Sequence, residues 1–192
     1  SVCLVGSEMC IRDSSDTFEK TSTAIKTRGF WLGTNLLTAL IAASVINIFK
    51  ETLEQVIFLA VLMPIIASMG GVAATQTLTI TVRGLALGQI VRANYLYIFN
   101  RELMVGVSNG FIWAVILSLI ACSWFQDWLL AWVICLSMII NLIAGVLSGM
   151  GIPILLKGLK MDPAVAGSVI VTTVTDVIGF FSFLGLATYF YS

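Results

Sequence analysis

Five long apolar runs, at residues 29–49, 55–82, 103–125, 128–156 and 163–190, leave this chain few ways to fold. A helix rises about 1.5 Å per residue, so about 20 such residues cross the roughly 30 Å hydrocarbon core of a bilayer. Water is not the solvent for most of the chain. Of its residues 59% are hydrophobic and 10% charged, against about 25% charged in an ordinary soluble domain. The expected architecture is therefore an all-α membrane protein with about five transmembrane helices per chain.

The segments between and within these runs carry their own signals. The second run contains Pro64 and the pair Gly70–Gly71, which predicts a bend or loosening midway. From 83 to 102, Arg83, Arg92 and Arg101 interleave with Leu85, Leu87, Ile90, Tyr95 and Tyr97, a pattern that fits an interfacial helix or ordered loop. Gly151 and Pro153 stand near the end of the fourth run, and Asp162–Pro163 supplies an N-cap and first-turn proline for the fifth. Residues 1–16 have neither helical periodicity nor the layout of a signal peptide. Their run SVCLVGSEMCIRDS resembles translated sequencing adaptor, so 1–16 are read as foreign to the protein and 17–192 as one membrane domain.

Charge sets the topology and removes several function classes. The net charge is zero and the basic residues are scattered, so the chain lacks the electrostatic footprint of a nucleic-acid binder. Lys20, Lys26, Arg28, Arg83, Arg92, Arg101, Lys157 and Lys160 lie before the first, third and fifth runs, while the opposite loops contain Lys50. The positive-inside rule then puts the N-terminus in the cytoplasm and Ser192 outside a multi-pass plasma-membrane protein. Trp124, Trp128 and Trp132, around Gln126 and Asp127, mark the outer interface. Histidine is absent, which leaves oxygen and thiolate chemistry for any metal. Cys122 and Cys135 read as small buried hydrophobes.

The chemistry concentrates on Asp176. It stands about thirteen residues from either end of the fifth run, near the bilayer midplane. An ionisable side chain there costs roughly 2.5–3.5 kcal/mol on insertion scales and faces a cavity, a partner charge or an ion. At helical spacing Ser168, Thr172, Thr175, Asp176 and Gly179 share its face, and Ser68, Val72, Thr75 and Thr79 make a similar stripe on the second run, beside Gln76, Gly70 and Gly71. Each stripe alone also fits helix-packing glue. Two stripes together with a midplane carboxylate point to a pore. A twofold axis would bring two such carboxylates to one divalent ion, and Mg²⁺, which gives up its waters reluctantly, suits carboxylates ringed by hydroxyls.

Two stretches carry a family resemblance. MPIIASMGGVAATQTLTITVRGLALGQI at 63–90 resembles the second helix of MgtE-type magnesium transporters, and DPAVAGSVIVTTVTDVIGF at 162–180 resembles their fifth. The likeness runs over 20–192. It implies a homodimeric pore lined by the second and fifth helices, with Mg²⁺ as the transported, pore-bound ion. Asp176 would sit at the central ion site with Thr172, Thr175 and Ser168, and Gly70, Gly71, Val72, Thr75, Gln76 and Thr79 would line the pore. The family usually reads GGNAG where this chain has Gly70, Gly71, Val72, Ala73 and Ala74, so an apolar Val72 replaces a pore-side amide. Full-length members also carry a cytoplasmic acidic domain and a paired CBS regulatory module, neither of which is expected within these residues.

The same residues also bear on three other classes, one of them a purely structural membrane subunit. An intramembrane aspartyl protease needs two carboxylates sharing a proton, and one intramembrane Asp per chain argues against it. A proton- or Na⁺-coupled exporter working by alternating access stays open, because an isolated Asp and interrupted helices suit it too.

Overall fold

A computed structural model describes residues 21–91, 93–159 and 165–191. The tail at 1–16 and the Asp162–Pro163 helix start lie outside the described residues. Those described fold into six helices: α1 (Thr21–Ile48), α2 (Lys50–Gln55), α3 (Phe58–Ala86), α4 (Tyr95–Phe125), α5 (Trp128–Gly158) and α6 (Val165–Tyr191). All but α2 are long and apolar enough to cross a membrane. The all-α, five-span expectation therefore holds.

The chain divides within α1, at Leu37, into two units. In the first, Ile25, Phe30, Leu32 and Leu36 are exposed, and the Thr34 hydroxyl donates to Phe30 O at 3.0 Å. The second unit, from Thr38 onward, holds every element that follows.

Within that unit α5 is central. Over half of its apolar window is buried, and α3, α4 and α6 all pack on it, while α3 and α4 barely touch each other. Small residues permit the α3–α5 approach. A Cβ added at Gly145 would lie 2.9 Å from Gly70 O, and one at Gly149 would lie 2.5 Å from Ala74 O. Such backbone proximity in place of side-chain bulk is the usual solution where lipid supplies no hydrophobic drive between helices. A larger cluster of Leu59, Leu62, Ile66, Leu130, Ile134 and Phe183 fills the end where α5 begins. There Asp127 caps α5, accepting from Leu129 N at 2.8 Å and Leu130 N at 3.2 Å, and the Tyr191 hydroxyl at the end of α6 donates to its other oxygen.

Two local expectations need correction. The segment 83–102 is not an interfacial element of its own. Arg83 belongs to α3, and α4 begins at Tyr95, eight residues before the expected start at 103, so that Arg101 and Glu102 are helical. The apolar Leu96, Ile98 and Phe99 carry the third span's helical pattern back into the basic stretch, and burial of Glu102 follows. What remains between the helices is a short connection tied by Asn94, whose Nδ2 donates to Gln89 O at 2.7 Å and whose Oδ1 accepts from Val91 N at 2.9 Å. Pro64 and Gly70–Gly71 lie within the one continuous helix α3. Pro64 stands on an exposed side of the helix, one turn and a half from its start. Cys122 and Cys135, expected to be buried, are partly exposed free thiols.

Candidate functional site

The polar stripe of α3 does not pack inside the chain. Ser68, Val72, Thr75, Gln76 and Thr79 are all exposed, Val72 at 52%. With Gly71 and Ile80 they line an open groove of about 680 Å³, and Thr172 of α6 completes the wall. Two helices distant in sequence thus bring hydroxyls to one surface, Ser68, Thr75 and Thr79 of α3 and Thr172 of α6 bordering it.

The hydroxyls share one orientation of their protons. Thr75 donates to Gly71 O at 2.8 Å, Thr79 to Thr75 O at 2.8 Å, and Thr172 to Ser168 O at 2.9 Å. A hydroxyl whose proton is held by the carbonyl four residues back keeps its lone pairs for whatever enters the groove. Such a row accepts hydrogen bonds, which suits a cation or the outward-pointing hydrogens of its water shell.

The remaining predicted residues separate into two sets. Gly70 is buried and faces the chain interior, and Thr175 is fully buried with its hydroxyl on Val171 O and Thr172 O. Neither meets the groove directly. Asp176 is half-buried and is not among the residues that line the groove; its chain neighbour Thr175 comes near it, since a Cβ on Gly71 would lie 3.9 Å from Thr175 Oγ1. Among the described residues Asp176 makes no hydrogen bond or ion pair. Ser168 is exposed on α6, one turn before Thr172. No group of three or more His, Cys, Asp or Glu gathers among the described residues.

Asn141 is a residue that the sequence reading passed over. It projects from α5 into the junction of α3 and α6, fully buried, and its Nδ2 donates to Ile66 O at 2.8 Å. A Cβ on Gly70 would collide with its amide, and one on Gly179 would lie 2.7 Å from Nδ2. Asn141 is thus a wedge that holds α3 and α6 at a fixed separation, with Gly179 one turn beyond Asp176. An amide inside the most apolar of the five runs was the available signal, because membrane interiors keep such groups where helices meet.

The comparisons with known proteins bear on this geometry directly. A family model described as a divalent cation transporter, MgtE, matches residues 63–186, which is most of α3 and α6 and all of α4 and α5. The chain belongs to the MgtE family. The matched region contains every groove residue together with Asp176 and Asn141. The magnesium transporter MgtE of Bacillus subtilis (strain 168) is 31% identical over 196 residues, covering 95% of this chain and 44% of the relative. That of Enterococcus faecalis is 28% identical over 178 residues, 93% of this chain and 39% of the relative, and that of Thermus thermophilus 29% over 157 residues, 82% and 35%. The chain spans less than half the length of these relatives.

Proposed function

We propose that this chain forms one half of a homodimeric membrane pore that passes hydrated divalent cations, Mg²⁺ foremost, down their electrochemical gradient. The observation that carries the reading is the open groove on α3 and α6. A surface of accepting hydroxyls, on the helix pair that includes the half-buried Asp176, is poorly matched to lipid, and pairing it with its copy across a twofold axis would enclose it. The names of the three relatives support Mg²⁺ as the ion.

In this reading Asp176 from each subunit supplies the attraction. Two negative charges oppose one 2+ ion, and Thr172, Ser168, Thr75 and Thr79 accept from its retained waters as it moves. Thr175 lies behind that row and holds the backbone of α6 in place, while Gly70 and Gly71 give the two helices room. Val72 contributes apolar surface where an amide would otherwise face the ion. The protein sits in the plasma membrane with Lys157 and Lys160 in the cytoplasm and Asp127 and Ser192 on the outer side, as the distribution of basic residues supports. A CBS-type module acting on this pore would belong to sequence outside these residues.

Mg²⁺ uptake into proteoliposomes tests the reading, with pH and Na⁺ gradients imposed or collapsed. Flux that depends on the Mg²⁺ gradient alone is expected. Flux that follows the proton or Na⁺ gradient overturns the channel in favour of a coupled carrier. Cross-linking of Thr75→Cys and Thr172→Cys variants should trap a dimer, and a monomer under all mild detergent conditions would contradict the paired groove.

A further inference from the structure

Behind one wall of the groove lies a second cavity, independent of the function proposed above. It fills the gap that α3 and α4 leave between them and has a volume of about 390 Å³. Glu102 lines it. That side chain is only 7% exposed, and among the described residues it makes no hydrogen bond or ion pair. Thr77, 4% exposed, lines the same cavity, and its hydroxyl donates to no partner among the described residues. Gln76 and Asn109 bring two side-chain amides to the wall. A largely covered carboxyl group with no protein partner, facing a cavity, is a place where a bound cation can supply the counter-charge.

We propose that this cavity binds a monovalent alkali cation such as Na⁺, with Glu102 as its charged ligand and the side-chain oxygens of Gln76, Thr77 and Asn109 completing the shell. The donor set consists of oxygens alone, which selects hard cations over thiolate- or imidazole-seeking metals. Charge decides among the hard cations. One carboxylate neutralises a single positive charge, whereas Mg²⁺ would leave one charge uncompensated in a low-dielectric site. Asp176 does not line this cavity, so the two carboxylates belong to separate sites. Gln76 alone of the polar side chains named here borders both the cavity and the groove.

Trp113 supplies a reporter, since it lines the cavity while Trp31, Trp124, Trp128 and Trp132 do not. In a protein whose other four tryptophans are replaced by phenylalanine, Na⁺ is titrated against an impermeant organic cation at constant ionic strength and fixed alkaline pH. A saturating change in Trp113 fluorescence is expected. It should persist in Asp176→Asn, vanish in Glu102→Gln, and need roughly fivefold more Na⁺ in Asn109→Ala. Should Glu102→Gln fail to fold, Asn109→Ala and Thr77→Val carry the test, and unchanged Na⁺ affinity in both overturns the site. It is equally overturned by an absent response, by a response that survives Glu102→Gln, or by Mg²⁺ acting at lower concentration than Na⁺. A signal that follows pH and ignores Na⁺ would assign the cavity to a protonated carboxyl instead.

Discussion

The two faces of α3 are built from similar residues and meet opposite fates. On one face Gly70, Ala74, Thr77 and Leu78 are buried, three of them small enough for α5 to come within backbone contact. On the other, Ser68, Gly71, Thr75 and Thr79 are just as small, yet they line an open groove. Small size therefore permits close approach without causing it. What separates the faces is the partner helix: Gly145 and Gly149 of α5 close over the first face, whereas the second is only bordered by Thr172 of α6. A face left open at membrane depth with its hydroxyls aligned is explained by a second copy or an ion, and by both together in the pore proposed above.

The comparison breaks most severely at the closed face. Gly149→Leu places a side chain where Ala74 O already lies 2.5 Å from an ideal Cβ, so α3 and α5 must separate. A cost of about 3 kcal/mol is expected, read as loss of the folded species by size-exclusion and thermal unfolding in detergent. Asn141→Ala should be milder at about 1–2 kcal/mol, because it removes the bond to Ile66 O and leaves a gap between Gly70 and Gly179. A melting temperature equal to wild type would show that the wedge bears no weight.

Asp127 offers a smaller effect with a pH signature. Burial opposes its ionisation, but hydrogen bonds from the Tyr191 hydroxyl and from Leu130 and Leu129 N–H outweigh it and hold the carboxyl below the ordinary carboxylate range. The ionised form is thus favoured by folding, and its stabilisation is complete above the unfolded-state value of about 3.9 and is lost as pH falls through the lower folded value. Asp127→Ala should cost about 1 kcal/mol at neutral pH, and the difference from wild type should shrink below about pH 4. A difference that grows on acidification would reverse the sign assigned here. At the open face, by contrast, Val72→Asn should change stability by no more than about 0.5 kcal/mol. Its effect belongs to transport, where a polar group in place of Val72 should sharpen discrimination for hydrated Mg²⁺ over larger ions in competitive uptake.

The open face was legible in the sequence because it depends on local periodicity. Ser68, Val72, Thr75 and Thr79 recur at helical spacing, and any continuous helix must bring them to one side. Of the second stripe, Thr172 borders the same groove. Thr175 and Gly70 do not, because periodicity gives an angular sector and not the depth to which a neighbouring helix covers it. The closed face was less legible. Asn141 matters through Gly70 and Gly179, which lie on two other helices, and no single-helix pattern contains that meeting. Glu102 was misplaced for a related reason, since the basic residues around it read as an interface while the helical register of Leu96, Ile98 and Phe99 carried α4 back past it.

The central claim is that charge at Asp176, and not shape, draws a divalent ion along the open face. Asp176→Asn keeps the shape of the side chain and removes two charges from the dimer, which forfeits several kcal/mol of attraction to a 2+ ion at low dielectric. It also relieves the cost of an ionised group in the membrane, so folding should improve slightly. Mg²⁺ uptake into proteoliposomes at matched protein amounts is the direct measurement. The account predicts a well-folded dimer that no longer passes Mg²⁺, and wild-type flux through that variant would contradict it.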